Sequence, residues 1–115
     1  MSENTGIFFR GDNTSWQTPA SGIQRKILAY HARAMLVRVA FDANAVGVPH
    51  SHPHVQCTLV ESGVFDVTIA GRTERWRAGD SFTVPPNAEH GVVAIEAGML
   101  LDAFAPARLD FLAER

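Results

Sequence analysis

The segment Pro49-His50-Ser51-His52-Pro53-His54-Val55-Gln56 carries three imidazoles and a side-chain amide, and His90 closes a downstream segment, Pro85-Pro86-Asn87-Ala88-Glu89-His90. Four of the five histidines of the chain lie in these two stretches, a clustering that surface composition does not explain. Neutral imidazole is a common ligand for Zn, Ni, Fe and Mn. His50, His52 and Gln56 stand at even spacings, so on an extended strand their side chains share one face and can converge with His90 from a second strand. The expected product is a metal site of His50, His52, Gln56 and His90 inside a small β-barrel. His54 falls on the same even face, but Pro53 cannot donate to a ladder and marks an edge or a bulge. The alternation is therefore expected to break there and to leave His54 outside the ligand set. His31, isolated at a strand end, reads as a turn histidine.

A second group lies near the C-terminus. From Met99 onward, alternation places Leu100, Asp102 and Phe104 on one face. If that face is the interior, Asp102 is a buried carboxylate near a metal, which favours an acid/base role. If it is the exterior, Asp102 is solvated and Phe104 packs as core. Alternation leaves both open. Arg108 has the planar fork that matches a substrate carboxylate, and is equally well placed to be a surface partner of Asp110.

These groups need strands to hold them, and the chain offers little else. Apolar-rich runs broken by turn residues at intervals of roughly eight to twelve indicate an all-β sandwich or barrel. The expected strands are Gln24 to Tyr30, Met35 to Phe41, His50 to Glu61, Val64 to Ile69, Thr73 to Arg77, Ser81 to Val84, His90 to Ile95 and Met99 to Ala105. Ser62-Gly63, Ala70-Gly71-Arg72, Ala78-Gly79-Asp80 and Glu96-Ala97-Gly98 read as the tight turns between them. Residues 1–22 read as a loop, with Ile7-Phe8-Phe9 a candidate edge strand, 23–112 as the barrel, and 113–115 as a tail. Leu109 to Arg115 has room for one helical turn with Phe111 and Leu112 as its apolar contacts.

The length of 115 residues suits one domain with a real core. With 46% apolar and 19% charged residues, neither disorder nor a fibrous repeat is expected. A formal charge of −2 and the absence of basic clusters interleaved with aromatics argue against nucleic acid. No stretch approaches a membrane span and no basic region precedes an apolar run at the N-terminus, so a cytoplasmic protein is expected. Cys57, the single cysteine, excludes an internal disulfide and reads as a buried structural thiol on the face opposite Gln56.

The two histidine segments resemble the paired motifs of the cupin superfamily. His50, His52, Gln56 and Gly63 carry the first motif, and Gly79, Pro85 and His90 the second. The chain departs from the pattern where Asn44 stands at the opening glycine, Gln56 at the usual Glu, Asn87 at a later glycine and Ala94 at the final Asn. Beyond these motifs, Gly22 to Ala29, His50 to His54 and Leu101 to Leu112 are similar to KdgF-type cupins of pectin and alginate breakdown. The resemblance implies a jelly-roll barrel (double-stranded β-helix) that converts 4,5-unsaturated monouronates to linear ketonised forms. It implies a divalent transition metal (Ni, Zn, Mn or Fe) on His50, His52, Gln56 and His90, with Asp102 as principal acid/base. Phe104 would shape the sugar site, Arg108 would assist substrate binding, and the protein would be a homodimer. A metal-dependent oxygenase using the same ligands and a non-catalytic sugar-binding cupin are the competing readings.

Overall fold

The computed structural model describes residues 6–113. After a short 3-10 turn at Gly11–Asn13 the strands are β1 Gln17–Ala20, β2 Ile23–His31, β3 Ala34–Phe41, β4 Val46–His50, β5 Val55–Ile69, β6 Arg72–Arg77, β7 Ser81–Val84 and β8 His90–Ala105, followed by a helical turn α1, Leu109–Ala113. Every pairing is antiparallel, in the order β1-β2-β3-β8-β5-β6, with β4 on β8 and β7 on β5. This is the jelly-roll architecture expected of the sequence.

Alternation builds the interior. Ile23, Arg25 and Ile27 of β2 point inward, as do Gln56, Thr58 and Val60 of β5 and Leu100, Asp102 and Phe104 of β8. Two apolar clusters result. One gathers Ile23, Phe41, Val60, Phe65, Val67 and Leu100, the other Ile27, Met35, Val37, Phe104 and Phe111. Phe111 is the buried residue of α1 and Leu112 packs beside it, as its apolar pattern predicted.

The turns at Ala70-Gly71 and Gly79 form where expected. Ala70 and Gly71 both take positive φ, 50° and 84°, the backbone a two-residue hairpin needs between the partners Ile69 and Arg72.

Several boundaries differ from the sequence reading. Ser62-Gly63 and Glu96-Ala97-Gly98 are not turns. They are facing irregularities in two long continuous strands, β5 of 15 residues and β8 of 16. A Cβ on Gly98 would lie 2.2 Å from Ser62 O, and one on Gly63 would lie 2.6 Å from Ala97 O, so both glycines are set by close backbone approach.

The expected strand from His50 to Glu61 is interrupted. Val46–His50 ends one strand, residues 51–54 turn, and Val55 begins the next. At the N-terminus Ile7, Phe8 and Phe9 are not a strand, and the edge is formed by Gln17–Ala20, which had read as loop. At the other end α1 takes in Ala113, while Glu114 and Arg115, the rest of the expected tail, lie outside the described residues.

The two asparagines at motif glycine positions both adopt left-handed backbone, Asn44 at φ 69° and Asn87 at φ 67°. Asparagine is among the few non-glycine residues that tolerate this region, so the substitutions keep the geometry of the motif.

Candidate metal centre and cavity

Two strand ends and one loop bring the histidines together. His50 ends β4 and His90 begins β8, where they are register partners across the antiparallel pair. Their ring centroids lie 4.4 Å apart, and the His52 ring, on the loop between β4 and β5, lies 4.7 Å from that of His90. One ligand atom from each of the three falls within 4.8 Å of the others, close enough for one ion to reach all of them. Asn87 N–H donates to His52 O at 2.8 Å and ties the two histidine-bearing loops together.

The rings are held in one tautomer. Nδ1 of His50 donates to Val48 O at 3.0 Å, Nδ1 of His52 to His54 O at 3.1 Å, and Nδ1 of His90 to Ala88 O at 3.0 Å. With each Nδ1 carrying the proton, each Nε2 presents a lone pair, the arrangement that orients metal-binding imidazoles.

The Nε2 of His90 is buried and has no hydrogen-bond partner among the described residues. An acceptor so stranded costs roughly 1–3 kcal/mol unless something fills it. Burial, the largest cause, holds both His52 and His90 below the ordinary histidine pKa, which keeps them neutral and able to ligate.

Gln56 completes the argument for a cation. Its Nε2 donates to Thr58 Oγ1 at 2.9 Å, which turns Oε1 toward His52 Nε2 at 3.1 Å. Two lone pairs then face each other, an arrangement that a shared cation relieves. The donor set of three imidazoles and an amide oxygen fits a divalent transition metal.

His54 stays outside this set. Its ring packs edge-on to His52 and Phe104, at 5.4 and 6.4 Å between centroids, while its carbonyl orients His52. His31 is the exposed last residue of β2, where its Nδ1 accepts from Arg33 N–H of the following turn at 3.3 Å.

The alternation of β8 resolves in favour of the interior. Asp102 is 8% exposed. Burial pushes its carboxyl up to about 6, against the opposing pull of the Thr58 hydrogen bond and the Arg108 charge. Phe104 is buried between His52 and Phe111, with centroid distances of 5.7 Å to each. Arg108 is the partner of Asp110. It forms a bidentate pair with Asp110, at 3.1 and 2.9 Å, and its guanidinium lies 5.1 Å over the Phe104 ring.

A cavity of about 300 Å³ joins these groups. His50, Gln56, His90, Asp102, Phe104 and Arg108 line it together with apolar residues of both core clusters.

Thr58 and Arg25 were not singled out from the sequence. Thr58 follows Gln56 at the same even spacing that flagged the ligands, and Arg25 sits in the inward row of β2. Cys57 corrects an expectation. It looks away from Gln56 as alternation requires, but that face is exposed, so the thiol is not buried.

The jelly-roll with its internal histidine cluster matches the cupin domain over residues 37–104, and the chain belongs to the cupin family. It is 40% identical to the pectin degradation protein KdgF of Dickeya dadantii over 107 residues, 91% of this chain and 97% of that protein. The structure of KdgF from a Halomonas species superposes with a TM-score of 0.86 at 42% identity, covering 93% and 99% of the two chains. An RmlC-like cupin from Shewanella frigidimarina gives 0.87 at 39% identity over 91% and 95%. With these relatives the chain falls in the KdgF group of cupins.

Proposed function

We propose that this chain is a metal-dependent enzyme that opens and ketonises 4,5-unsaturated monouronates released from pectin or alginate. Likeness to a pectin degradation protein over nearly the whole chain supports the substrate class. The observation that carries the chemistry is Asp102, a buried carboxyl with its pKa raised to about 6 in the same cavity as the histidine cluster. A group so poised exchanges protons in both directions near neutral pH.

The cyclic substrate is a hemiacetal at carbon 1 and an enol ether at carbon 5. Asp102 removes the carbon-1 hydroxyl proton. The carbon-1 carbonyl forms as the bond from carbon 1 to the ring oxygen breaks, and that oxygen stays on carbon 5 as an enolate. The same carboxyl then delivers its proton to carbon 4, and the carbon-5 ketone results. Nothing is oxidised or reduced, and atoms balance within one molecule.

Thr58 holds the Asp102 oxygen in place. Arg108 binds the anionic substrate, and Phe104 forms an apolar wall against the sugar. His50, His52, Gln56 and His90 would hold a divalent cation, which supplies Lewis-acid stabilisation of the carbon-5 oxygen, undiminished in charge because glutamine is neutral. A homodimer would bury the outward residues Leu36 and Leu59, both exposed on the β3-β8-β5 face.

The test is anaerobic turnover of a 4,5-unsaturated monouronate by metal-loaded protein, following loss of the conjugated chromophore and identifying the product by NMR. A linear keto acid formed faster than in the spontaneous reaction is expected. Full metal occupancy without acceleration would overturn the proposal, and turnover that requires oxygen would point to an oxygenase.

A further inference from the structure

The cavity has two unlike ends. Arg25 and Arg108 both lie over the Phe111 ring, their guanidinium carbons 3.7 and 4.1 Å from its centre, at the end walled by the second apolar cluster. The end walled by the first cluster is bare hydrocarbon. Val39, Phe82 and Val92 pack against that cluster from the inward rows of β3, β7 and β8, yet each is only half-buried, and all three line the cavity. Inward hydrocarbon left uncovered forfeits packing, so the space against these side chains is a cost to the fold.

This wall adjoins the residues proposed to work on the substrate. In β8 the inward residue next after His90 is Val92, and the one just before Asp102 is Leu100, which also lines the cavity; each pair stands roughly 7 Å apart along the strand. Val39 is the register partner of Leu100, and β3 and β8 are paired on both sides, so their backbone groups are taken up in the ladders. A hydroxyl pressed against the wall finds no side-chain partner there.

A 4,5-unsaturated uronate suits such a wall at one position only. Carbons 1, 2 and 3 of its ring carry hydroxyls, and carbon 5 carries the carboxylate and the ring oxygen. Carbon 4 alone bears nothing polar, whereas a saturated hexuronate has a hydroxyl there as well.

We propose that Val39, Val92 and Leu100 are specificity-determining residues, which seat carbon 4 of the sugar within reach of Asp102 and disfavour any uronate with a hydroxyl at that carbon. The selection is one of binding, since a saturated acid has no enol ether to open, and it rests on the uronate reading of the cavity. A hydroxyl buried without a partner sets the discrimination at about tenfold to a hundredfold.

Dissociation constants of D-galacturonate and of its 4-deoxy analogue are measured by calorimetry on the metal-loaded protein, beside turnover of an unsaturated monouronate. The parent chain is expected to bind the 4-deoxy acid about tenfold or more tighter. Val39→Thr and Val92→Thr keep the shape of the side chain and add a hydroxyl to the wall, and each is expected to shrink that ratio about threefold or more by tightening galacturonate. A general loosening of the cavity would weaken both acids and leave the ratio alone. The two positions lie on different strands, so one variant that does not fold leaves the other to decide.

A parent that binds the 4-deoxy acid no better than galacturonate would overturn the proposal, as would an unchanged ratio in a folded, metal-loaded threonine variant. If the preference is present and shrinks in the variants while the parent fails to turn over the unsaturated substrate, the wall stands and the enzymatic proposal falls.

Discussion

The Thr58 hydroxyl donates a 2.6 Å hydrogen bond to Oδ1 of Asp102, its register partner across the β5–β8 ladder, and accepts one of 2.9 Å from the Gln56 amide. One hydroxyl thus links the residue proposed to ligate the metal with the residue proposed to move the proton. A hydrogen bond donated to a carboxylate favours its ionised form, so Thr58 holds the Asp102 pKa below the value burial alone would set. Thr58→Val should raise it by about one unit and move the acidic limb of the kcat/KM profile to higher pH by the same amount. Thr58→Ser should restore the limb. An unmoved limb in the valine variant would separate Thr58 from the proton-transfer step.

Asp102→Asn should slow turnover by about 10²–10⁴, the usual worth of a general acid/base. The same substitution should stabilise the metal-free protein at alkaline pH. Because the folded pKa of Asp102 lies near 6, above the ordinary 3.8, the contribution of this group to stability is fully present below 3.8 and is lost as pH rises through 6. Ionised and buried at pH 8, it disfavours folding by about 3 kcal/mol, a burden the amide removes while still accepting from Thr58. Thermal unfolding of both proteins at pH 4 and pH 8 checks this: the advantage of the variant should be large at pH 8 and small at pH 4. An equal advantage at both would mean that ionisation of Asp102 is not its source.

The stranded Nε2 of His90 predicts that a divalent cation stabilises the fold. Saturation to 100 times the dissociation constant should raise stability by about 2.7 kcal/mol, visible as a rise in Tm after chelator-stripped protein is reloaded. His90→Ala should lose most of that rise. Retention of the full metal-dependent shift in this variant would place the ion elsewhere.

Gly91 sets the distance between two of the proposed ligands. A Cβ there would lie 2.9 Å from Gly47 O and 3.1 Å from Pro49 N, both backbone atoms of β4, so alanine must push β4 away from β8 and carry His50 from His90. Gly91→Ala should weaken metal binding by about tenfold or more, whereas Gly11→Ala, whose Cβ meets nothing within 4 Å, should leave it unchanged. Cobalt loading provides a direct readout, since its visible spectrum follows ligand geometry independently of turnover. Parent-like affinity and spectrum in Gly91→Ala would refute the spacing role.

The histidine spacing made the ligand cluster legible, but for a partly mistaken reason. Alternation along a single strand was expected to gather His50, His52 and Gln56. In the fold, a strand end, a turn and a new strand place them, and Pro53 was the residue that signalled the break. Glycine misled at Gly63 and Gly98 because the same residue serves a tight turn and a close backbone approach, and only the register between distant strands distinguishes the two. The burial of Asp102 was undecidable locally, since period two names a face without naming the side the core lies on. Arg25 escaped notice for a related reason. An arginine in an alternating strand reads as surface until the partner strands show which way the row points. Asn44 and Asn87 depart from the motif's glycines, and both take the left-handed backbone that glycine ordinarily supplies.

The facing glycines of β5 and β8 bear on how the cavity can respond to a ligand. His90 opens β8 and Asp102 lies twelve residues along it, a span of roughly 40 Å in a straight strand, yet both line one cavity. The two proposed working groups are therefore carried on one bent ribbon and not on separate bodies that could swing together. His90 and Asp102 can change their separation only if that ribbon itself bends. The spacing between the two groups is thus written into the path of a single strand, and a change at either facing glycine would be felt at both ends of it.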